Sequence, residues 1–513
     1  MKGFMELLTE INGKVNDFVW VQVGLILLIG TGLLTTIVTK VFQISHLKHW
    51  WTKTIVSVFK KDARKKEKGS VSQFQALCTA LAATIGTGNI AGVAAAIVIG
   101  GPGAVFWMWI MAFLGMMTNF SENVLGIYYR RRNKQGEWSG GPMYYLQDGL
   151  GKMKGCKIVG KMLAILFAIC AILASFGIGN MGQINKIVIN VESAFFKNVE
   201  APTVVGDASL IALIIGLVLM VVAALIIIGG LQRIAAVAER VVPFMAIAYV
   251  VGCLVILFVH IGDIGAIFGS IFKFAFGIKA VGGAVAGVAI KTVIVQGCKR
   301  GAFSNEAGLG SSVMVHSNSN VKEPVKQGMW GIFEVFADTM VVCTMTALVV
   351  LTSGGLNGGV FNAQTGVIAE GYTDATLVGG AFNSVFSWGN IGEKFVAVAM
   401  FLFAFTTVLG WSHYGSKAWE YLFGAKTTFV FRIIHVCTII FGAVLTSSLA
   451  WDISDTFNGL MMIPNLIGVL VLIPLVVKIT KNYIDRKVRG KDVAPILSYD
   501  ESLQKEAEEN LDD

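Results

Sequence analysis

Apolar blocks about as long as a bilayer is thick recur along this chain from Val19 to Ile479. A helix crosses the hydrocarbon core with about 20 predominantly apolar residues. Eleven such segments can be read: 19–40, 73–99, 104–128, 162–189, 209–229, 235–259, 283–317 with an interruption, 327–352, 394–424, 429–449 and 456–479. Charged residues make up only 14% of the 513 positions, against 55% hydrophobic ones, whereas a soluble domain carries roughly a quarter charged. The expected fold class is an all-α polytopic membrane protein of about eleven transmembrane helices, with lipid as the solvent for most of its surface.

The loops between these blocks sort by charge. One set is basic: Lys48, Lys53, Lys60, Lys61, Arg64, Lys65, Lys66 and Lys68 after the first span, then Arg130-Arg131-Arg132 through Lys161. It continues with Arg233 and Arg240, Lys322 and Lys326, Lys417 and Lys426, and Lys481, Arg486, Lys487, Arg489 and Lys491. The alternate loops are acidic or neutral: segment 353–393 has no Lys or Arg but carries Glu370, Asp374 and Glu393, and the turn at 450–455 carries Asp452 and Asp455. Basic loops stay on the cytoplasmic side, so the N-terminus is expected outside and the C-terminus inside a prokaryotic plasma (inner) membrane. The same rule accounts for the net charge of +9 without a nucleic-acid partner. Segment 42–68, aromatic at its start and lysine-rich at its end, is expected to lie along the membrane surface. The acidic tail from Asp500 to Asp513 reads as solvated and dispensable for transport.

Residues 1–18 lack the layout of a cleaved signal peptide, so the first span is expected to persist in the mature protein. The seven cysteines are scattered with no C-x-x-C pair, which argues against a disulfide framework or a zinc site. The six histidines form no H-E-x-x-H, and no serine-nucleophile motif occurs. No enzyme activity and no cofactor are expected.

One short pattern occurs twice. Asn89-Ile90-Ala91-Gly92 lies in the second span and Asn305-Glu306-Ala307-Gly308 in the seventh, and each interrupts an apolar segment with glycine and polar residues. Five spans separate the starts of these two segments, so they enter the membrane from opposite sides, as in a five-plus-five inverted repeat with one extra N-terminal helix. Irregular backbone at membrane depth is tolerated where it lines a cavity or is buried in protein. Its free N–H groups attract a carboxylate, and its free carbonyls attract a cation or an ammonium group. Gly-rich packing faces produce similar patterns, but opposite topology favours the transporter reading. The corresponding divisions are 1–72 (extra helix and basic interfacial segment), 73–259 (first repeat), 260–480 (second repeat) and 481–513 (cytoplasmic tail).

Gly100-Gly101-Pro102-Gly103-Ala104-Val105-Phe106-Trp107-Met108-Trp109-Ile110-Met111-Ala112-Phe113-Leu114-Gly115 resembles the signature of the alanine or glycine:cation symporters. Gly86-Thr87-Gly88-Asn89-Ile90-Ala91-Gly92 and Phe303-Ser304-Asn305-Glu306-Ala307-Gly308 are similar to further motifs of that family. The resemblance covers about 73–480 and implies a leucine-transporter-type fold. It implies a substrate pocket at Thr84, Gly86, Thr87, Gly88 and Asn89, with Gln183, Phe303, Ser304, Asn305 and Trp411. It also implies a sodium site at the carbonyls of Ala82 and Ile85 with the hydroxyls of Thr406 and Thr407.

Each position has a plainer reading. Adjacent threonines on a helix commonly bond back to the carbonyl four residues earlier. Gln183 suits interhelical hydrogen bonding as well as it suits a substrate headgroup. Phe303 and Trp411 would pack in any core, but beside a break they would confine the pocket to a hydrogen or methyl side chain. Intramembrane carboxylates are functional candidates. Glu306 is expected to organise the second break, while Glu122, Glu239, Glu334 and Asp338 are left without a role, with Lys291, Lys299 or Arg300 as possible partners of Glu334 and Asp338. The function expected is sodium-coupled import of alanine, glycine or serine by alternating access, with lipid and the amino acid as partners. Its rivals are a proton-coupled symporter of the same fold and, further off, a channel.

Overall fold

The apolar blocks form helices, described here from a computed structural model over residues 2–59, 62–65, 69–205, 208–276, 290–353, 361–362, 367–368, 373, 376–386, 388–445 and 448–511. The main helices are α1 (Thr9–Val38), α2 (Gln73–Thr84), α3 (Gly88–Gly100), α4 (Gly103–Tyr128), α5 (Lys157–Phe195), α6 (Leu210–Ile227) and α7 (Gly230–Val259). They continue as α8 (Ile264–Phe276), α9 (Ile290–Asn305), α10 (Val313–His316), α11 (Pro324–Ser353), α12 (Trp388–Phe423), α13 (Ala425–Val444), α14 (Asp452–Lys487) and α15 (Glu501–Glu509). Three short antiparallel hairpins are the only described sheet structure.

Among the described residues nine single helices are long and apolar enough to span, ten when the bent pair α2–α3 is counted as one. The seventh expected span is the exception. Its helix α9 has 16 residues, includes Lys291, Lys299 and Arg300, and ends at Asn305 where the backbone breaks. Helix α8, the segment Leu377–Asn383 and the tail helix α15 were not foreseen. Helix α8 is short; its Phe272 and Phe276 meet Phe106 and Trp107 of α4 edge-on, and its Phe268 stacks on Trp109. Leu377–Asn383 is a buried seven-residue turn of helix. Residues 283–289 and the charges Lys60, Lys61, Lys66, Lys68, Glu370, Asp374 and Asp513 lie outside the described residues.

Helix α4 packs against α9 and α11, α5 against α12 and α14, and α7 against α2. The basic loops gather on one face. Arg130 donates to Ser319 O (2.6 Å), Asn133 to Glu420 (3.1 Å), and Arg486 pairs with Glu323 through two bonds of 2.7 and 2.9 Å. Asp455 lies at the opposite end, where it accepts from Lys299 (2.7 Å) and its carbonyl accepts from Trp20 (3.1 Å). Lys299 is therefore committed to Asp455 and is not the counter-ion of Glu334 or Asp338. Segment 42–59 starts from a turn with Lys40 and Val41 both left-handed and runs as short helices, with Phe42 on Phe120 and Trp51 on Phe333 and Phe336.

The tail from Asp500 forms a short helix with no buried residue, and the chain just before it is docked. Asp500 caps α15 by accepting from the Ser502 and Leu503 N–H groups. Tyr499 donates its N–H to Tyr128 O (3.1 Å), and Arg132 pairs with Glu506 at 2.6 Å. The tail is solvated on α15 but docked at its base, because Leu497 and Tyr499 find apolar cover beneath α4.

Candidate functional site

The first break follows from local chemistry. Ser72 and Gln75 form a capping box that starts α2: Gln75 N–H donates to Ser72 Oγ (3.2 Å) and Ser72 N–H to Gln75 Oε1 (3.3 Å). Helix α2 ends at Thr84, and α3 leaves at 54° to it. At the break Asn89 Oδ1 takes the Gly86 N–H (2.9 Å), the donor that an unbroken helix would have given to Ala82 O. Asn89 N–H turns to Gly86 O (3.3 Å), which frees Ile85 O in the same way. Gln183 of α5, just past a π-type turn at Gly177–Met181, fixes the other side. Its Oε1 accepts from Thr87 N–H (3.1 Å) while its Nε2 donates to Ile178 O (3.0 Å).

Helix α12 lies directly against this break. A Cβ at Gly410 would stand 2.6 Å from Ala83 Cβ, so only glycine permits the approach. The approach sets Thr407 Oγ1 3.1 Å from Ala82 O and 3.4 Å from Ile85 O, as well as 3.0 Å from its own Phe403 O. Three of the four oxygens expected at a cation site thus converge. Thr406 does not join them: its hydroxyl lies 3.0 Å from Phe403 O and 3.7 Å from Met245 Sδ, on the face of α12 turned to α7. Successive residues on a helix are about 100° apart, and here that rotation leaves only the Thr407 hydroxyl next to Ala82 O and Ile85 O, although both hydroxyls lie 3.0 Å from Phe403 O.

The second break turns on Glu306, whose φ of 56° is left-handed. Its carboxylate accepts from Trp411 Nε1 (2.8 Å) and from Ser311 Oγ (2.5 Å), linking α12 to the irregular segment before α10. A narrow cavity lies between the two breaks. It is lined by Ala83, Thr84, Gly86, Gly88, Ile178, Gln183, Phe303, Glu306, Thr407, Trp411 and Asn458. Of the ten residues expected in the substrate pocket, Thr84, Gly86, Gly88, Gln183, Phe303 and Trp411 line it.

Thr87, Asn89, Ser304 and Asn305 do not. Thr87 offers its N–H to Gln183, and Asn305 bonds Thr339 (3.0 Å) and closes its own turn onto Ala307 N–H (3.0 Å). Asn89 and Ser304 turn to a shared acceptor, Asp338 of α11. Asp338 Oδ1 accepts from Asn89 Nδ2 (2.7 Å), and Oδ2 accepts from Ser304 Oγ (2.7 Å) and Thr339 Oγ1 (2.8 Å). Asp338 is fully buried and joins the first break to the second. The sequence marked it as an intramembrane carboxylate, but its partners on two other helices are far away along the chain. Asn458, in α14, carried no signal at all.

The other carboxylates marked in the sequence, Glu122 and Glu334 buried and Glu239 half-buried, bond between helices. Glu334 accepts from His316 Nε2 (2.9 Å) and Asn119 (3.4 Å), Glu122 from Asn465 (2.5 Å), and Glu239 from Gln75 (2.9 Å). Among the described residues no cluster of His, Cys, Asp and Glu is arranged to hold a metal.

Two solved structures share the architecture. MhsT in complex with L-phenylalanine superposes with a TM-score of 0.52 at 13% identity, over 81% of this chain and 99% of that one. A substrate-bound outward-open Na+-coupled sialic acid symporter gives 0.50 at 13% identity, over 94% of each. The fold is that of a multi-pass membrane transporter of the leucine-transporter type. The family model described as the sodium:alanine symporter family matches residues 5–496. The sodium/alanine symporter AgcS of Methanococcus maripaludis is 42% identical over 479 residues, 93% of this chain and 98% of that protein. The probable sodium/glutamine symporter GlnT of Bacillus subtilis is 36% identical over 489 residues, 95% and 93% of the two chains. The chain belongs to the sodium:alanine symporter family.

Proposed function

We propose that this protein is a sodium-coupled importer of small neutral amino acids, alanine or glycine and with them serine, working by alternating access in a prokaryotic plasma membrane. The observation that carries the reading is the meeting of Thr407 Oγ1 with the freed carbonyls of Ala82 and Ile85 at 3.1 and 3.4 Å, beside the cavity under Trp411. Two oxygens each about 2.4 Å from one hard cation and at right angles stand about 3.4 Å apart. Neutral oxygens suit a monovalent ion that must also leave. Phe303 and Trp411 wall the cavity, which favours a methyl or hydrogen side chain by steric clash, since one methylene of favourable burial discriminates by only about 1–3 kcal/mol.

The basic face is the cytoplasmic one by the positive-inside rule, with the N-terminus outside and the C-terminus inside. A second, polar cavity opens along α12 towards that face, lined in part by Asn318, His413, Lys417 and Arg432, and provides a release route. Residues 73–259 and 260–480 form the two repeats, with 1–72 an added helix and interfacial segment and 481–513 the tail. Inward movement of one charge through 100 mV contributes about 2.3 kcal/mol.

Proton coupling is the second reading, favoured by the carboxylates of Glu306 and Asp338 at the two breaks. Uptake of radiolabelled alanine into proteoliposomes under separate sodium and pH gradients decides between them. Sodium-driven accumulation at equal pH is expected; accumulation driven by a pH gradient alone, without sodium, would overturn the reading.

A further inference from the structure

Helix α14 reaches the cavity from outside both breaks. It passes so close to the π-type turn of α5 that a Cβ at Gly177 would stand 3.2 Å from Ser454 Cα, and one turn further along the same face Asn458 lines the cavity beside Ile178 and Gln183. Asn458 is 2% exposed. Its Oδ1 is buried with no hydrogen-bond partner among the described residues, the only side-chain atom of the cavity lining in that position. The other polar side chains of the lining each have a partner: Thr84 donates to Ala80 O, Gln183 bonds Thr87 and Ile178, Glu306 accepts from Trp411 and Ser311, and Thr407 meets Ala82 and Ile85. A buried carboxamide oxygen without a donor is costly to keep, and filling the space does not require one, since leucine has the same branched skeleton of heavy atoms.

An ammonium group brings three donors and no acceptor. It therefore needs acceptors that are not already taken, and both lone pairs of Asn458 Oδ1 are open. We propose that Asn458 is a substrate-binding residue whose carboxamide oxygen accepts a hydrogen bond from the α-ammonium group of the transported amino acid. The proposal rests on the amino-acid reading of this cavity and deepens it. It sets the polarity of the bound zwitterion, with the ammonium towards α14 and the methyl group towards Phe303 and Trp411. It also divides labour between elements: α12 and the first break hold the cation, and α14 holds the substrate headgroup.

The test uses the full-length protein in proteoliposomes under a sodium gradient, with wild type, Asn458→Leu and Asn458→Asp assayed in parallel for alanine uptake and for thermal unfolding. Asn458→Leu is expected to raise the KM for alanine about tenfold or more, while the sodium concentration for half-maximal stimulation stays within about twofold and the unfolding temperature does not fall. Asn458→Asp keeps an acceptor at the same place and is expected to hold KM near the wild-type value. An unchanged KM in Asn458→Leu overturns the proposal. So does a KM raised by Asn458→Asp as much as by Asn458→Leu, which would mean that the amide N–H and not the oxygen meets the substrate. If Asn458→Leu does not fold, the aspartate variant and binding of propionate decide: propionate lacks the ammonium group, and the proposal requires that Asn458→Asp leave its inhibition constant unchanged or weaken it through charge, while a tighter inhibition overturns it. Wild-type protein that takes up no alanine under a sodium gradient refutes the transport reading and is recognised before any variant is compared.

Discussion

Replacing Thr407 by valine removes one oxygen from the junction of α12 with the first break and keeps the branched shape that packs there. The hydroxyl is buried and within 3.4 Å of both freed carbonyls. Hydrogen bonds to charged groups contribute about 1.5–3 kcal/mol, and loss of one cation ligand is of the same order. At about 1.4 kcal/mol per tenfold, the sodium concentration for half-maximal alanine uptake should rise about 10- to 100-fold. The maximal rate at saturating sodium should change far less, because the substrate cavity keeps its lining. Thr407→Ser retains the oxygen and should restore most of the sodium affinity. Thr406→Val is the internal control: its hydroxyl is turned to Phe403 O and Met245, so its sodium dependence should match wild type. The assay is alanine uptake into proteoliposomes against graded sodium at constant ionic strength, with folding checked by thermal melting. A sodium curve for Thr407→Val that superposes on wild type, or an equal shift in Thr406→Val, would refute the assignment of Thr407.

Gly86→Ala places a methyl group 3.1 Å from Gln183 Oε1 and closer still to Thr407 Oγ1; overpacking of this kind costs about 1–3 kcal/mol, and sodium-stimulated uptake should fall with melting temperature. Asp338→Ala strips the acceptor from Asn89, Ser304 and Thr339 at about 1–3 kcal/mol for each donor left buried, and transport should be lost. Asp338→Asn should be milder, because the two hydroxyls can turn and accept from the new amide. Equal damage from the two substitutions would show that the charge of Asp338, and not its hydrogen bonding, is what the protein needs. Glu506→Gln breaks a pair whose side chains are 37% and 51% exposed; such pairs contribute about 0–1 kcal/mol, so melting and transport should stay close to wild type.

Much of the architecture was legible because it depends on local quantities. Length and hydropathy place each helix whose apolar run is continuous, and the Gly-rich interruptions at Gly86 and Asn305 announce both breaks. Charge alternation sorted the loops, and the structure gathers the basic ones around Arg130, Glu323 and Glu420 on one face. Helix α8 escaped because 13 residues are too few for a span. The docking of Leu497 and Tyr499, just ahead of the acidic tail, was not foreseen because one partner of Tyr499 lies some 350 residues away.

The sequence by itself determined that the chain is helical and membrane-spanning, and that two helices break where glycine and asparagine interrupt them, since these are properties of segments a few turns long. Only the tertiary structure decided which side chains share the site. Thr406 and Thr407 are neighbours in the chain with the same chemistry, yet about 100° of helical rotation sends one to α7 and the other to the break. Asp338 and Asn458 acquire their places from helices that pass at close quarters, through glycines such as Gly410 and Gly177 that admit the approach. Helix-to-helix distance and rotation come from the packing of the whole bundle, and no window of sequence contains them.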